Sequence, residues 1–296
     1  MSDLYQEVPC DLCGSADSVE VPHSREFHQG QPIDICRGCG FVYVKRRRPA
    51  SEIADSWSSE IFGHVYTAAT PAVRARLTFV AEFINSTIGL KGRSVCEIGA
   101  GEGHGLALLL EPRYGASVFG IEPSRANATR MHALGIDHFT GTVEEYVASA
   151  DGGRPAFDIV TIQWTLENCQ SCRTMLDAAR RALKPGGSLV IATGSRILVP
   201  FKKPLHMYFG QNPADTHAFR FSANTLRGLL TVSGFDVAHM NRYLDHDVMC
   251  AIATKRPEEA SAPRWNGDNY LDVYSFFERW YADTTLYFPP ERARAT

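Results

Sequence analysis

The stretch from Val95 to Gly105, VCEIGAGEGHG, sets glycines at alternate positions behind an acidic residue. A short apolar run that breaks into such a turn reads as a buried strand feeding a helix, with bare backbone where a nucleotide-containing ligand can approach closely. A dinucleotide fingerprint, G-x-G-x-x-G, needs glycine where this chain has His104, so the pyrophosphate-binding form fails. What stands there is E-x-G-x-G-x-G, from Glu97 to Gly103.

Around this stretch two hydrophobic periods alternate. SVCEI, SVFGIE, FDIVTIQW and SLVIATG read as buried strands, separated by helical patterns in GHGLALLLE, SRANATRMHALG and CRTMLDAARRALKPGG. That alternation predicts a parallel sheet covered by helices on both faces. A helix opens at a capping Ser222 and ends at Gly234. FDVAHMNRY and VMCAIATK then form an antiparallel hairpin across a short connection. The fold class is therefore α/β, a Rossmann-like sheet of seven strands, mostly parallel with an antiparallel last strand. Residues 1–48 form a small cysteine-bearing segment and 49–90 a helical connector, with a helix starting at Pro71. Residues 91–256 form the core, and 257–296 a polar linker followed by an aromatic helix. Tyr270, Tyr274, Phe277 and Tyr281 share one face of that helix, which predicts docking on the core or on a second copy in a homodimer.

The 296 residues carry a formal charge of −3, which leaves no basic footprint for nucleic acid or anionic membrane. No apolar run reaches the length of a membrane span, and MSDLYQEVPC lacks a signal pattern, so a cytoplasmic protein is expected. In a reducing compartment the eight cysteines read as metal ligands or core thiols rather than disulfides. Cys10, Cys13, Cys36 and Cys39 form two C-x-x-C-G knuckles 22 residues apart. Each tight turn points both thiolates at one ion, and four thiolates suit tetrahedral zinc in a closed structural site. A rubredoxin-like iron site is the alternative. Cys169 and Cys172 make a further C-x-x-C at a helix start, read as pocket or core thiols. The run Lys45 to Arg48, KRRR, is either a phosphate contact or a solvated strand exit.

With these motifs in place, the chain resembles the class I S-adenosylmethionine-dependent methyltransferases over residues 91 to 254. The resemblance implies that Glu97 holds the methionyl ammonium while Gly99, Ala100 and Gly101 admit the cofactor backbone-close. It implies that Glu122, with Pro123 behind it, grips the ribose hydroxyls, about twenty residues past the loop. Thr142 and Val143 in GTVEEY fall at the adenine contact, where an acid is common in place of Thr142. Gln163 and Trp164 fall at the strand tip beside the cofactor, and ALKPGGSLVIAT is the family's approach to its fifth strand.

The knuckles in front of this core resemble those of bacterial methyltransferases acting on nucleotide-linked deoxysugars. In those enzymes a zinc ribbon and the helices after it wall the substrate cleft, and Tyr66 and Trp57 match aromatics placed over cofactor or substrate. THAFRFS resembles the family's E-H-x-x-x-F-S stretch, with His217 at the histidine and Thr216 in place of the glutamate. Asn168 replaces the histidine usual after LE. With part of the apparatus for carbon methylation missing, oxygen is the favoured acceptor atom, carbon next and nitrogen last. His217 is the candidate general base, and His206 and Tyr208 lie in the loop expected over the acceptor. The expected acceptor is a nucleotide sugar. Two rivals differ in class: a zinc-ribbon RNA methyltransferase, and a cofactor-binding module without chemistry.

Overall fold

The computed structural model describes residues 4–28, 30–57, 71–149, 157–201, 203–210 and 212–287. The N-terminal part contains β1 (Gln6–Glu7), β2 (Ser18–Glu20), α1 (Ser24–Phe27), β3 (Asp34–Cys36), β4 (Val42–Tyr43) and β5 (Arg46–Arg47). Helices α2 (Ala50–Ser56) and α3 (Pro71–Ile88) follow. The core runs β6 (Ser94–Ile98), α4 (His104–Leu109), β7 (Ser117–Glu122), α5 (Arg125–Ala133), β8 (His138–Thr140), α6 (Val143–Ala148), β9 (Phe157–Gln163), α7 (Cys172–Ala182) and β10 (Leu183–Thr193). It ends with α8 (Leu205–Phe209), β11 (Phe219–Arg220), α9 (Ala223–Val232), β12 (Phe235–Met240) and β13 (Met249–Lys255), and α10 (Tyr270–Thr285) closes the chain.

Seven strands form the central sheet in the order β12-β13-β10-β9-β6-β7-β8. Only β13 runs against its neighbours, pairing antiparallel with β10 on one side and β12 on the other. From β6 the chain winds outward through β7 and β8, then returns to the far side of β6 with β9 and β10. That reversal opens a crevice at the carboxyl ends of β6 and β9, where sheets of this kind take their ligands.

Local chemistry explains the element boundaries. Ser124 and Ser222 cap α5 and α9 through their side chains, and Thr142 caps α6 in a reciprocal pair with Glu145. Helix α7 stops at Ala182, before the expected KPGG. The residue preceding Pro185 is biased toward extended backbone, and the chain enters β10 at Leu183 through an irregularity before Ser188. The edge strand β8 carries too few residues to show a period, and it completes the seven.

The cysteine-bearing segment is not separate from the core. Its sheet has the order β11-β4-β3-β2, so β11, which lies beyond β10 in the chain, forms its edge. Phe41 and Tyr43 are fully buried and belong to the same apolar cluster as Phe219, Phe221 and Leu226. The linker is not simply polar spacer either: the Asp268 amide donates to Cys39 O at 3.0 Å, and the Asp268 carboxylate accepts from Asn224 Nδ2 at 2.8 Å.

Helix α10 docks within its own chain, against α8 and β3. The buried stripe is Val273, Phe276, Phe277 and Trp280, and the expected tyrosines Tyr270, Tyr274 and Tyr281 flank it half-buried. The face offered to a dimer by the sequence reading is thus occupied intramolecularly. Trp280 stacks on Phe201 with centroids 5.6 Å apart and donates from Nε1 to Lys203 O at 2.7 Å. Trp280→Ala is expected to cost about 3–5 kcal/mol, lowering the melting temperature by roughly 10 °C. An unchanged melt would show that the helix contributes nothing to the core. No helix among the described residues is long and apolar enough to cross a membrane.

Candidate active site

A cleft of about 360 Å³ opens at the crevice, within the range of about 300–1,000 Å³ typical of small-molecule sites. One side is the turn after β6. Gly99 has φ 73°, and a Cβ there would sit 2.4 Å from the Thr165 side chain, so the turn closes only on glycine. Gly101 has φ 56° with nothing within 4 Å of a Cβ position, which leaves its backbone bare to a ligand.

Two carboxyls flank the turn. Glu97 at the end of β6 is buried, its Oε2 has no hydrogen-bond partner, and burial pushes its pKa up to about 8. Glu122 at the end of β7 accepts from the amides of Gly101 and Ser124, each at 2.9 Å, and burial raises it against those bonds. The cleft is lined by five glutamates, at 97, 102, 122, 144 and 167, and by no lysine or arginine among the described residues. Ala100, Pro123, Thr142, Val143, Gln163 and Trp164 also line it. Trp164 adopts φ 51°, a left-handed conformation uncommon for a bulky residue, held by its amide bonding Ala192 O at 2.7 Å.

The remaining wall comes from α2, α3, the 3-10 turn Leu166–Asn168 and His217. Glu167 was not singled out by the sequence reading. It is 2% exposed, its Oε1 accepts from Thr193 Oγ1 at 2.7 Å, and its Oε2 has no partner. Burial pushes its pKa up to about 7. Thr193 in turn accepts from the Ser195 amide at 2.9 Å. Ser195 Oγ lies 2.9 Å from His217 Nε2 and donates to Phe219 O at 2.8 Å. With its one hydrogen committed to Phe219, Ser195 accepts from Nε2–H, which leaves the lone pair of His217 on Nδ1. Burial, then the charges of Arg220, His28 and Lys203, hold the His217 pKa well below the ordinary value, so the ring is neutral at pH 7. The only sequence signal for Glu167 was its place after the fourth strand. Its contact with Thr193 crosses 26 residues and follows no local period.

Other expected residues fall elsewhere. His206 and Tyr208 do not line the cleft. His206 packs 6.0 Å from Phe27, and Tyr208 donates to Arg196 O at 3.0 Å while its ring lies 4.6 Å from Trp280. The loop after β10 is turned toward the C-terminal helix, which corrects the expectation that it overhangs the acceptor. Tyr66 lies outside the described residues. Trp57 does line the cleft, and its Nε1 donates to Thr216 O at 3.0 Å. The KRRR run is only partly a solvated exit: Arg46 is exposed over the Tyr5 ring, whereas Arg47 pairs with Asp11 at 2.7 Å, Arg48 with Asp215 at 2.8 Å and Lys45 with Glu7 at 3.7 Å. Cys169 lines the cleft half-buried, whereas Cys172 is fully buried.

The four knuckle cysteines converge. Their Sγ atoms all lie within 4.8 Å of one another, with Cys10 3.6 Å from Cys39 and Cys13 3.4 Å from Cys36. A tetrahedral ion with bonds of about 2.3 Å sets sulfurs roughly 3.8 Å apart, so the arrangement fits one ion held by both knuckles. Gly14 and Gly40 end the knuckles at φ 76° and 69° and bond back to the Cys10 and Cys36 carbonyls, each at 2.8 Å.

A sequence model of a family described as a methyltransferase domain matches residues 72–240. The chain is similar to the ubiquinone biosynthesis O-methyltransferase of Alkalilimnicola ehrlichii, 36% identical over 129 residues, covering 41% of this chain and 48% of that protein. The chain spans about half the length of that relative. Among solved structures, a chain of the complex between the Haloferax volcanii methyltransferase activator and a methyltransferase matches with TM-score 0.53 at 16% identity, covering 69% of this chain and 98% of that one. An S-adenosylmethionine-dependent methyltransferase from Thermotoga maritima matches with TM-score 0.51 at 19% identity, covering 69% and 100%. At these identities the likeness is one of fold.

Proposed function

This chain belongs to the methyltransferase-domain family, and from that premise we propose that it transfers a methyl group from S-adenosylmethionine to a hydroxyl oxygen of a small acceptor. The observation that carries the reading is the cleft's acidic lining: five glutamates, two of them (Glu97 and Glu167) with a buried orphan oxygen, around a bare glycine turn, and no lysine or arginine among the described lining. Such a site favours a cofactor bearing positive charge. Bound there, S-adenosylmethionine supplies an electrophilic sulfonium methyl. Glu97 takes the ammonium, Gly99 to Gly101 give backbone contact, and Glu122 turns its carboxylate to the ribose hydroxyls. Pro123, Thr142, Val143, Gln163 and Trp164 enclose the adenosyl part, and Tyr66 is retained as a cover for it. His217 accepts the acceptor's proton at Nδ1.

The acceptor oxygen is supported by the similarity to the Alkalilimnicola ehrlichii relative, an O-methyltransferase. The lining of the cleft supports a choice of acceptor class. A nucleotide sugar brings a diphosphate, and the described lining contains no lysine or arginine to meet it. A histidine held below its usual pKa also takes a proton more readily from an acidic hydroxyl, with a phenolic pKa of about 10, than from a sugar alcohol. An uncharged phenolic or enolic acceptor fits best. The four thiolates hold zinc as a structural cross-link, with no coordination position left for substrate.

The test is titration with S-adenosylmethionine, followed by incubation with simple phenols, free sugars, nucleotide sugars and RNA. A mass gain of about 14 Da on the phenols supports the reading. Gain on a nucleotide sugar would restore the acceptor expected from sequence, and gain on RNA alone or on nothing would refute the proposal. Because Glu97 in the empty cleft is largely protonated at pH 7, cofactor affinity should rise from about pH 6 to about pH 8, by up to tenfold per unit, with proton release on binding. Glu97→Gln should abolish the slope. Glu122→Ala should weaken binding by about 1–3 kcal/mol, and an unchanged titration would remove Glu122 from the site.

A further inference from the structure

Among the described residues none before Ala50 lines the cleft, yet the first knuckle reaches it through a bridge. Asp11 stands between Cys10 and Cys13. Its Oδ1 accepts from the amide of Cys172, the first residue of α7, at 3.0 Å, and its Oδ2 accepts from Arg47 at 2.7 Å. A second nitrogen of Arg47 donates to Gln170 O at 2.5 Å, and the guanidinium lies 4.8 Å over the Phe219 ring. Both side chains are buried, Asp11 at 4% and Arg47 at 1% exposed. The turn so gripped contributes Asn168, Cys169 and Gln170 to the cleft wall.

A buried ion pair is a poor source of net stability, because desolvation offsets most of its attraction. What this pair does supply is direction: its two outer bonds end on backbone groups two residues apart in one turn. The other end is anchored between two metal-binding cysteines. We propose that Asp11 and Arg47 are positioning residues, carrying the rigidity of the cysteine site to the 168–172 turn and thereby setting the acceptor side of the cleft. Neither touches the reacting atoms. The inference rests on the methyltransferase reading for what the wall contacts, and on geometry alone for the bridge.

The experiment uses the full-length zinc-loaded protein, Asp11→Asn and Arg47→Met, with backbone hydrogen exchange and cofactor titration. Asn at 11 retains an acceptor for the Cys172 amide but loses the ion pair, so it is the milder change. Exchange in the peptide 166–176 should rise by about tenfold in Asp11→Asn and more in Arg47→Met, with the peptide 97–106 unchanged. Removing zinc from the wild type with a chelator should reproduce that pattern. Zinc content and S-adenosylmethionine affinity of Asp11→Asn should stay at wild-type levels, while KM for the phenol that gains mass rises about tenfold with a smaller change in kcat. Unchanged exchange in 166–176, in either Asp11→Asn or chelated wild type, overturns the proposal. So does raised exchange without a KM effect, or an equal loss of cofactor binding in Asp11→Asn, since the bridge would then serve the whole fold. A wild type that methylates no panel member refutes the function instead, and the exchange and zinc measurements still decide the bridge.

Discussion

His217→Ala is expected to lower turnover by about 10²–10⁴ while leaving S-adenosylmethionine affinity within twofold of wild type, the usual cost of losing a positioned base. The sulfonium already activates the methyl group, so what remains for the protein is alignment and removal of the hydroxyl proton. Ser195 fixes the ring from Nε2, which leaves the Nδ1 lone pair as the proposed proton acceptor. The pH dependence separates this base from its neighbour. His217 is held well below the ordinary histidine pKa, so its basic form already predominates at neutral pH, and turnover at saturating cofactor should not climb through neutrality. Glu167 has a pKa pushed up to about 7, and a carboxylate base there would make turnover climb through neutrality as it ionises. His217→Asn tests the same point with a side chain of similar polarity. Near-wild-type turnover in both variants would reduce His217 to packing, and the base would pass to Glu167. His206, the sequence reading's next candidate, lies off the cleft.

What was legible in the sequence was whatever is encoded locally. The E-x-G-x-G-x-G turn marks itself because Gly99, Gly101 and Gly103 all take positive φ. The caps at Ser124 and Ser222 and the paired knuckles are likewise written within a few residues. The bridge from Asp11 to Cys172 spans 161 residues, and the pair of Arg48 with Asp215 spans 167. No periodicity announces such contacts, so KRRR looked like a surface run although Arg47 is almost completely buried. Tyr208 failed for a related reason. Loops after parallel strands usually overhang the site, but here the aromatic helix at the far end of the chain competes for that loop and Trp280 takes it. The proposed acceptor rests on the cleft rather than on motifs, since its support is a described lining without lysine or arginine.

Cys36→Ser should release the metal and destabilise more than the N-terminal segment. The purified wild type is expected to carry about one equivalent of zinc on four thiolates. Structural zinc sites contribute on the order of 10 kcal/mol of folding free energy in small peptides, and here part of that is offset by apolar burial around Phe41 and Tyr43. A residual loss of several kcal/mol lowers the melting temperature by about 10 °C or more. The damage should follow the contacts. Strand β4 holds β11, which follows His217, and the second knuckle holds Asp268 at the start of the aromatic helix. The glycine turn and Glu122 hang on β6 and β7 and have no bond to the knuckles. Cofactor titration should therefore survive in Cys36→Ser at temperatures below the melt, while turnover falls steeply. Metal analysis finding no zinc or iron in freshly prepared wild type, together with an unchanged melt for Cys36→Ser, would make the four cysteines core thiols. Loss of cofactor binding in parallel with turnover would show instead that the knuckles and the S-adenosylmethionine side of the cleft fold as one unit.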